Sequence, residues 1–600
     1  MLALFFRYRL LLTALLWLSA LPSAWGIIVF NDVAIDVMAV QNEDSYHGYV
    51  EYLFSVQNTS TQETHEVVLT IPAEQSRSGN YEHIRQVKRA VRVGPSSRLT
   101  VSLFQPPLPV NGSDVVVAVD GQEKVLPMTV VRHMTASYRG SERMCILASR
   151  NLAHELETVA QEEVPATSSY NDRKIIFADS ANDVRNWSSN WLGYSRYDGV
   201  VVTGNDMALM PFPVQLAIKR YVECGGSLLV LGAWQPDAEW RAGQRDFNGL
   251  ACYYPGFGIC LVSGENRARN PQNAAPQYLS AEQWQAMRQI WHQTFDKLQQ
   301  IKNTNDANNH FPVVENLRLP VRGLFLLVLL FALLIGPVNI SILTAKKKRI
   351  WLLWTVPAVS IITCVTVFIY AMVAEGWHGY ARTQTLTILD ENSRRATTIG
   401  WVACYSPLTP RDGLHFSYDT EVTPQVEVYS WNRQGQGRMV DWTNEQQLGS
   451  GWVLSRVPSH FTVRKSQAGL DALLRLTVEQ TGSRLKVGNS LGVEIDTVWV
   501  ADRQGNIYFG NNIAPGQQAE LKPLGLVAIG TREKLRQAFG EDWLQHLPQF
   551  TGKPETVLRP GCYLARVKAP LFIEEGLLKV QKHKADTLVY GIMKGSRNED

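Results

Sequence analysis

The sequence reads GLFLLVLLFALLIGPVNISIL from residue 323 to 343 and IWLLWTVPAVSIITCVTVFIYAMVA from residue 350 to 374. Each run is long enough to cross about 30 Å of hydrocarbon as an α-helix, and neither contains a charged side chain. Lipid offers no hydrogen-bond partners to the backbone, so both runs are expected to be helical. The pattern predicts a transmembrane hairpin with helices over residues 323–344 and 350–374.

The connection between these helices is short and basic. Within the stretch TAKKKR it contains Lys346, Lys347, Lys348 and Arg349. Basic residues in short loops are retained on the cytoplasmic side of a membrane, so the loop is predicted to face inward. The regions before and after the hairpin are then both expected on the outer side, as two separate bodies held at one point of the membrane.

The first 26 residues have the layout of a secretory signal peptide. Arg7 and Arg9 precede a short apolar run from Leu10 to Leu21, and small residues follow before a predicted cleavage after Gly26. An uncleaved anchor is the alternative. Either version delivers Ile27 and the residues after it to the outer side, in agreement with the basic loop.

Composition excludes some classes of function. The chain has 600 residues, which predicts several domains, and 58 Lys and Arg against 55 Asp and Glu. No basic tract lies outside the hairpin loop, so nucleic acid is not an expected partner. Seven cysteines are too few for a disulfide scaffold. The closely spaced pair Cys252 and Cys260 is predicted either to form a bridge or to lie unpaired on neighbouring strands.

Residues 27–135 show a period of two. Runs such as HEVVLTIP and DVVVAVDG alternate apolar and polar residues and are separated by Asn, Gly, Pro and Ser clusters. Short alternating strands predict an immunoglobulin-like β-sandwich, although no Cys, Trp, Cys signature is present. Such a domain serves either as a binding module or as a spacer.

Residues 141–310 change to alternating strands and helices. The apolar runs MCILAS, KIIFAD, YDGVVVTG and GSLLVLG have few polar residues on either face, and a helical pattern ending at Gly225 and Gly226 separates the last two. Apolar strands joined by helices indicate a parallel sheet covered on both sides. The sequence therefore predicts a flavodoxin-like α/β layer.

The run from YDGVVVTG through YVECGGSLLVLG resembles the class I glutamine amidotransferase-like domain found in bacterial membrane proteins. The GPVN at Gly336–Asn339 is typical of the same proteins. True amidotransferases place a nucleophilic cysteine in a tight turn directly after the strand. Here LLVLG is followed by Ala233, Trp234 and Gln235, whereas Cys224 precedes the strand at a helix C-terminus, which raises a thiol pKa. No amidotransferase chemistry, metal or cofactor is predicted.

A ligand crevice is predicted at the carboxyl ends of the parallel strands, where open α/β sheets bind their ligands. The residues expected there are Asp179, Ser180, Gly204, Asn205, Asp206 and Trp234. In the alternative interpretation, Asp179 and Asn205 only cap the segments that follow them.

The remaining residues predict structure without a catalytic cluster. An amphipathic helix over residues 280–302 begins with a capping box at Ser280 and Gln283, and its apolar face either packs on its own domain or contacts a membrane or partner helix. Residues 378–530 predict one large or two small β-sandwiches, and residues 531–600 an α+β extension. The stretch Gly488–Gly492 matches the serine-hydrolase elbow in letters only, because strands are predicted on both sides of it.

These observations favour a noncatalytic membrane-anchored scaffold or sensor in a bacterial cell-envelope assembly. It is expected in the bacterial inner membrane, with both large regions in the periplasm. The expected partners are other membrane or envelope proteins and the lipid bilayer, and the sequence identifies no ligand. The alternatives are an envelope hydrolase or transferase that uses the α/β domain, and an accessory subunit of a transporter.

Overall fold

The structure, a computed structural model, describes most of the chain outside its first 27 residues. It describes residues 28–39, 47–72, 82–110, 114–127, 143–150, 152–153, 156, 174–179, 183–241, 244–264, 279–298, 307–309, 311–314, 321–375, 379–426, 437–470, 476–481, 484–524 and 558–594. The predicted signal peptide and residues 531–557 of the predicted α+β extension lie outside these residues.

Among the described residues, eight strands precede the α/β region. They are β1 Ile28–Phe30, β2 Val33–Ala39, β3 Val50–Asn58, β4 His65–Pro72, β5 His83–Val93, β6 Arg98–Gln105, β7 Asp114–Val119 and β8 Gln122–Pro127. β4 and β7 alternate buried with partly exposed or exposed residues, as their sequences predict. In β4, Val67, Leu69 and Ile71 are buried whereas the residues between them are partly exposed. β1, β2, β3 and β6 form an antiparallel four-stranded sheet, and the other four strands belong to a second sheet.

That second sheet is built from both sides of the hairpin. Its later strands are β18 Leu414–Phe416, β20 Gly437–Asp441 and β21 Gln446–Leu448, and the order is β18-β21-β20-β5-β4-β7-β8. β20 lies parallel to β5, with Val440 opposite Val87. The expectation of two separate outer bodies is therefore wrong, because the segments before and after the hairpin share one hydrogen-bonded sheet and one hydrophobic core.

A third sheet has seven strands, five of them parallel. The strands are β9 Arg143–Ala148, β10 Lys174–Asp179, β11 Gly199–Thr203, β12 Ser227–Leu231, β13 Arg245–Phe247, β14 Leu250–Tyr253 and β15 Ile259–Val262, in the order β10-β9-β11-β12-β15-β14-β13. The first five in this order are parallel, and β14 and β13 extend the sheet antiparallel. Every residue of β12 is buried, as expected for a strand covered on both faces.

Helices cover both faces of this sheet. They are α1 Gly204–Leu209, α2 Phe212–Glu223, α3 Ala238–Arg241 and α4 Ala281–Leu298, with 3-10 turns at Val184–Asn186 and Trp191–Tyr194. Ile218 of α2 shares a core with Val230, whereas Trp284 and Trp291 of α4 pack with Leu229 on the other face. The face of α4 thus packs on its own domain, and the predicted Ser280 and Gln283 capping box is confirmed.

The hairpin consists of two long apolar helices whose side chains are largely exposed. Its parts are α5 Val321–Leu333, a π-helical turn Leu334–Val338, α6 Asn339–Ala345, a 3-10 turn Arg349–Trp351 and α7 Leu352–Glu375. Two windows, Val328–Ala345 and Arg349–Ile369, are long and apolar enough to cross a membrane. Pro337 lies in the π turn, where its missing N–H accounts for the change in helical pitch. The Asn339 side-chain amide donates to Thr355 Oγ1 of the second helix at 2.9 Å.

After the hairpin the chain forms an eleven-stranded sheet. Its strands are β16 Gly379–Asp390, β17 Arg395–Tyr405, β19 Thr420–Pro424, β22 Ser459–Ala468, β23 Leu476–Thr481, β24 Arg484–Asn489, β25 Ile495–Ala501, β26 Ile507–Ile513, β27 Gln518–Leu524, β28 Cys562–Val567 and β29 Val580–Ile592. Their order is β19-β22-β17-β16-β29-β28-β25-β26-β27-β24-β23. The stretch Gly488–Gly492 connects β24 to β25, which confirms a strand, turn, strand arrangement in place of a hydrolase elbow.

The chain that precedes the first helix of the hairpin is held by this sheet. His460 Nε2 lies 2.9 Å from the Phe311 carbonyl oxygen, and Arg382 donates to the Pro312 carbonyl oxygen at 2.7 Å. The Arg382 guanidinium also lies 4.4 Å from the centre of the Phe311 ring. Burial lowers the pKa of His460, so the imidazole is neutral at pH 7 and donates its Nε2 proton to Phe311.

We expect the free energy of unfolding to decrease as the pH is lowered, because protonation of His460 favours the unfolded chain. Because its folded pKa lies below the unfolded value of about 6.5, the unfolded chain binds a proton that the folded chain excludes, and stability decreases as the pH drops below about 6.5. The His460→Gln variant keeps a donor for Phe311 without titrating. Thermal midpoints measured at about pH 5.5 and about pH 7.5 should differ less in this variant than in the native protein. Equal differences would contradict the prediction.

Candidate functional site

The carboxyl ends of β9 and β11 meet at the point where the strand order changes direction. From β9 the chain continues to β10 on one side of the sheet, whereas from β11 it continues to β12 on the other. Ser149 follows β9, and Thr203, Gly204 and Asp206 lie at the end of β11 and the start of α1. Open α/β sheets place their crevices at such points.

Asp206 accepts hydrogen bonds from groups at the carboxyl ends of β9 and β11. Its Oδ2 accepts hydrogen bonds from Ser149 Oγ and from the Thr203 backbone N–H, both at 2.9 Å. The Asp206 N–H in turn donates to Thr203 Oγ1 at 3.0 Å, which completes a capping box at the start of α1. The Asp206 carboxylate, which is predicted to face a ligand, thus accepts hydrogen bonds at the N-terminus of α1.

The alternative role predicted for Asn205, as the helix cap, is wrong. The N-cap is Thr203, because the capping side chain must precede the helix and reach the N–H of the third helical residue. Asn205 lies in the first turn of the helix and is exposed. Its side chain is therefore available to solvent at the crevice.

Gly204 and Trp234 are brought together, as predicted. A Cβ atom added at Gly204 would lie 2.4 Å from the Ala233 carbonyl oxygen and 3.5 Å from Trp234 Cβ. The loops after β11 and β12 therefore touch, and only glycine permits that approach. Trp234 is half-buried, with its ring edge-on to Trp240 at 6.5 Å between centroids. This contact packs the loop after β12 against α3.

The structure places Asp179 at the same edge of the sheet. It is the last residue of β10 and pairs with Ala148 at the end of β9. Its side chain and the whole of Ser180 lie outside the described residues. Ser149 was missed by the sequence analysis, although its position directly after the run MCILA marks it as the first polar residue beyond a buried strand.

We expect Asp206→Ala to destabilise the protein by about 1 kcal/mol, the usual effect of losing a capping interaction. The loss leaves Thr203 N–H and Ser149 Oγ without their acceptor. Asp206→Asn retains an acceptor oxygen and should recover most of the stability. Unfolding midpoints of the two variants check the prediction, which fails if alanine and asparagine are equally destabilising.

Cys224 is unsuited to nucleophilic chemistry. Burial raises the pKa of the Cys224 thiol well above its ordinary value, and the residue forms the C-terminal cap of α2. A protonated buried thiol is a poor nucleophile. This agrees with the assignment of Cys224 as a core residue.

Cys252 and Cys260 lie unpaired on the neighbouring strands β14 and β15, which confirms the second of the two predicted arrangements. Both thiols are free and buried. Cys252 pairs with Leu261 across the ladder, so Cys260 is one residue out of register with it and points to the other face. Cys252 packs with the α4 core and Cys260 with the α2 core.

A buried His, Asp and Ser group joins β3 to the α/β domain. His47 Nε2 lies 2.8 Å from Asp198 Oδ1, and Asp198 Oδ2 accepts from the Cys145 N–H at 2.8 Å. Ser195 Oγ donates to the Leu192 carbonyl oxygen and accepts from the Tyr49 N–H, whereas His47 Nδ1 faces the Ser195 carbonyl oxygen. The Ser195 hydroxyl is directed to Leu192 and Tyr49 and not to the His47 ring, so the group lacks the geometry of a catalytic triad. It connects the first β-rich region to the α/β domain, and we call such a buried polar connection a clamp.

A second buried clamp links α2 to the eleven-stranded sheet. The Glu223 carboxylate accepts from Arg395 at 2.6 Å and from Ser466 Oγ at 2.8 Å, and the Cys224 carbonyl oxygen accepts from Arg464 at 3.2 Å. These partners are separated by more than 170 residues. No sequence pattern marks such pairs, because each residue alone resembles an ordinary surface charge.

Three further observations concern metals and relatives. In the part of the chain that the structure describes, no group of three or more His, Cys, Asp or Glu residues is arranged to hold a metal ion. The prediction that no cofactor is needed stays a prediction. A comparison with protein-family models gives no match, and a comparison with curated protein sequences gives none either.

Proposed function

We propose that this protein is a noncatalytic membrane-anchored scaffold or sensor of a bacterial cell-envelope assembly. The observation that carries the proposal is the parallel pairing of β5 with β20. Because the chain on each side of the hairpin enters one sheet, both flanks must stand on the same side of any membrane that the hairpin crosses. A large body is then attached by two helices, and only the short basic loop reaches the other side.

The basic loop supports an orientation with this body in the periplasm. Lys346, Lys347, Lys348 and Arg349 are exposed at the tip of the hairpin, and such residues are retained in the cytoplasm. The bacterial inner membrane and an N-terminal signal peptide are parts of the same proposal. Reporters fused after Lys348 and at the end of the chain test it, since a periplasmic signal at Lys348 would reverse the orientation.

The domain architecture that we propose follows from strand order. The parallel order β10-β9-β11-β12-β15 supports a flavodoxin-like layer of the amidotransferase-like kind, with no cysteine after β12. The sheet β1-β2-β3-β6 and the sheet that contains β4 and β5 share a hydrophobic core, which supports an immunoglobulin-like sandwich completed by strands from beyond the hairpin.

A noncatalytic role is supported by the surroundings of the groups that could carry chemistry. Asp206 is engaged by Thr203 and Ser149, and the buried thiol of Cys224 is held in its protonated form. The clamps at Glu223 and Asp198 use their charges to fix domains against one another. A rigid body of this kind suits the binding of other membrane or envelope proteins.

The proposal is tested by complementation and co-purification together. A Ser149→Ala, Asp206→Asn double variant should support the cellular phenotype and retain the same membrane partners after gentle solubilisation. Loss of the phenotype with normal folding and unchanged partners would favour the envelope hydrolase or transferase. Recovery of a lone chain, free of partners, from native membranes would count against a scaffold.

A further inference from the structure

The central strands of the eleven-stranded sheet end close to the point where the chain leaves the second membrane helix. α7 ends at Glu375 and β16 begins at Gly379, so the four Cα steps between them reach at most about 15 Å. The register places Tyr405 of β17 opposite Tyr380, and Val580 of β29 opposite Gly379. The loops at this end therefore lie beside the helix exit.

We call this end of the sheet the helix-proximal rim. It comprises the strand ends and loops at residues 379–382, 405–412, 455–460 and 577–584. The chain that enters the first membrane helix is attached to the same rim, because Arg382 and His460 bind the carbonyl oxygens of Pro312 and Phe311. Entry to the hairpin and exit from it thus converge on one edge of the extramembrane body.

Among the residues that the structure describes after the hairpin, the exposed large hydrophobic side chains lie at this rim. Leu408 is 46% exposed, Val457 40% and Leu578 64%. Among the described residues after the hairpin, these three are the large hydrophobic side chains that are exposed. Single exposed apolar residues scattered over a surface need no explanation, but three at one end of a sheet indicate an interaction surface.

The loops that carry these side chains are held by hydrogen bonds. The Arg456 N–H donates to the Ser406 carbonyl oxygen at 2.8 Å, and Ser455 Oγ donates to the Pro407 carbonyl oxygen at 2.6 Å. Leu408 and Val457 therefore project from two adjoining loops. Leu577, next to Leu578, lies against the start of β16 at Gly379.

The charge of the rim is mainly basic. Its exposed basic residues are Arg411, Arg456, Lys579, Lys582 and Lys584. Of the nearby acids, Glu574 is paired with Lys465 and Glu575 with His583, whereas Asp412 is exposed. Lys582 Nζ lies 5.4 Å from the centre of the Tyr380 ring. Apolar side chains with tyrosine and lysine around them are typical of surfaces that lie at the boundary of headgroups and acyl chains.

We propose that the helix-proximal rim rests on the bilayer that the hairpin spans, with Leu408, Val457 and Leu578 in the headgroup region and the basic residues against anionic lipid. This inference rests on the membrane insertion of the hairpin, which is part of the proposed function. Contact through the rim fixes the tilt of the body relative to the membrane, which the two helices alone would not do.

The test uses the full-length chain in nanodiscs with anionic phosphatidylglycerol or with zwitterionic lipid only. In a Cys364→Ser background, single cysteines replace Leu408, Val457 or Leu578 and carry an environment-sensitive fluorophore. Val125→Cys, on the edge strand β8, is the matched exposed control, and Val365→Cys in the second helix reports insertion itself. Quenching by spin-labelled lipid is compared with quenching by aqueous iodide.

We expect the three rim labels to be quenched by shallow spin-labelled lipid and protected from iodide at least several-fold relative to Val125→Cys, more strongly with anionic lipid. Rim labels as open to iodide as the control, with Val365→Cys quenched by lipid, would overturn the inference while the hairpin stands. Protection from both quenchers would point to a second copy of the chain and would also overturn it. Failure of lipid to quench Val365→Cys would instead refute the membrane insertion.

Discussion

Replacing Trp442 with alanine is expected to lower the free energy of unfolding by about 3–5 kcal/mol, the usual cost of truncating a buried tryptophan. Trp442 follows β20 and is fully buried, with its Nε1 donating to the Phe104 carbonyl oxygen at 2.7 Å. Its ring packs against Tyr49 and Phe104 from before the hairpin and Tyr418 from after it. Truncation leaves a cavity and an unpaired carbonyl in the core that both halves share.

The Trp442→Ala variant should also show which strands lose protection from hydrogen exchange. Hydrogen exchange should accelerate at the amides of β4 and β5, more than 340 residues earlier in the sequence than the substitution. Phe212→Ala is the matched control, because this aromatic side chain is exposed and its loss should change stability by no more than about 0.5 kcal/mol. Faster exchange confined to residues after the hairpin would show that the halves unfold independently.

Replacing Arg395 with alanine is expected to destabilise the protein by about 3–5 kcal/mol. The substitution leaves the Glu223 carboxylate, whose side chain is 7% exposed, buried with only Ser466 as its remaining described partner. An unpaired buried charge is far more costly than the pair is favourable, since the desolvation of the carboxylate is no longer offset. Thermal and denaturant unfolding of the detergent-solubilised protein measure the change.

A second variant separates charge from packing. Replacing both partners, as Arg395→Met with Glu223→Gln, should restore much of the lost stability because no ion is then left buried. Arg484→Ala is the matched control in the same sheet. Its partner Glu520 lies 3.5 Å away, and with the two side chains 75% and 50% exposed the pair is expected to contribute about 0–1 kcal/mol. Equal losses of unfolding free energy in Arg395→Ala and Arg484→Ala would refute the prediction that burial of the Glu223 carboxylate makes its ion pair more important for stability.

Much of the local structure could be predicted because it depends on neighbouring residues. The two apolar runs, the alternation in β4 and the capping box at Ser280 follow from composition and period alone. The shared edge of the residues that follow these strands could be predicted in the same way, since the first polar residues after buried parallel strands lie at the carboxyl edge of the sheet. The ligand crevice at this edge stays a prediction. The capping of α1 by Thr203 and Asp206 is a local pattern that the sequence carries, whereas the bond from Ser149 Oγ to Asp206 joins two loops that only the tertiary structure brings together.

The outcomes that needed the tertiary structure also have physical causes. Of the two arrangements predicted for Cys252 and Cys260, the unpaired one on neighbouring strands is confirmed, because a shift of one residue in the β14 and β15 ladder sends their side chains to opposite faces. Two bodies were expected because a membrane hairpin interrupts the chain, and strand pairing over such a distance has no local signal. The parallel contact of β20 with β5 is specified by the fit of side chains across the sheet.

By itself the sequence determined the elements of this protein, namely the apolar hairpin with its basic loop, the β-rich regions and the α/β alternation. These follow from hydrophobicity and period, which each segment carries regardless of its surroundings. Only the tertiary structure decided that the chain on both sides of the hairpin forms a single sheet and core, and that Glu223 and Asp198 act as clamps. Those features depend on contacts between residues more than a hundred positions apart, where burial and register, and not local pattern, determine which groups meet.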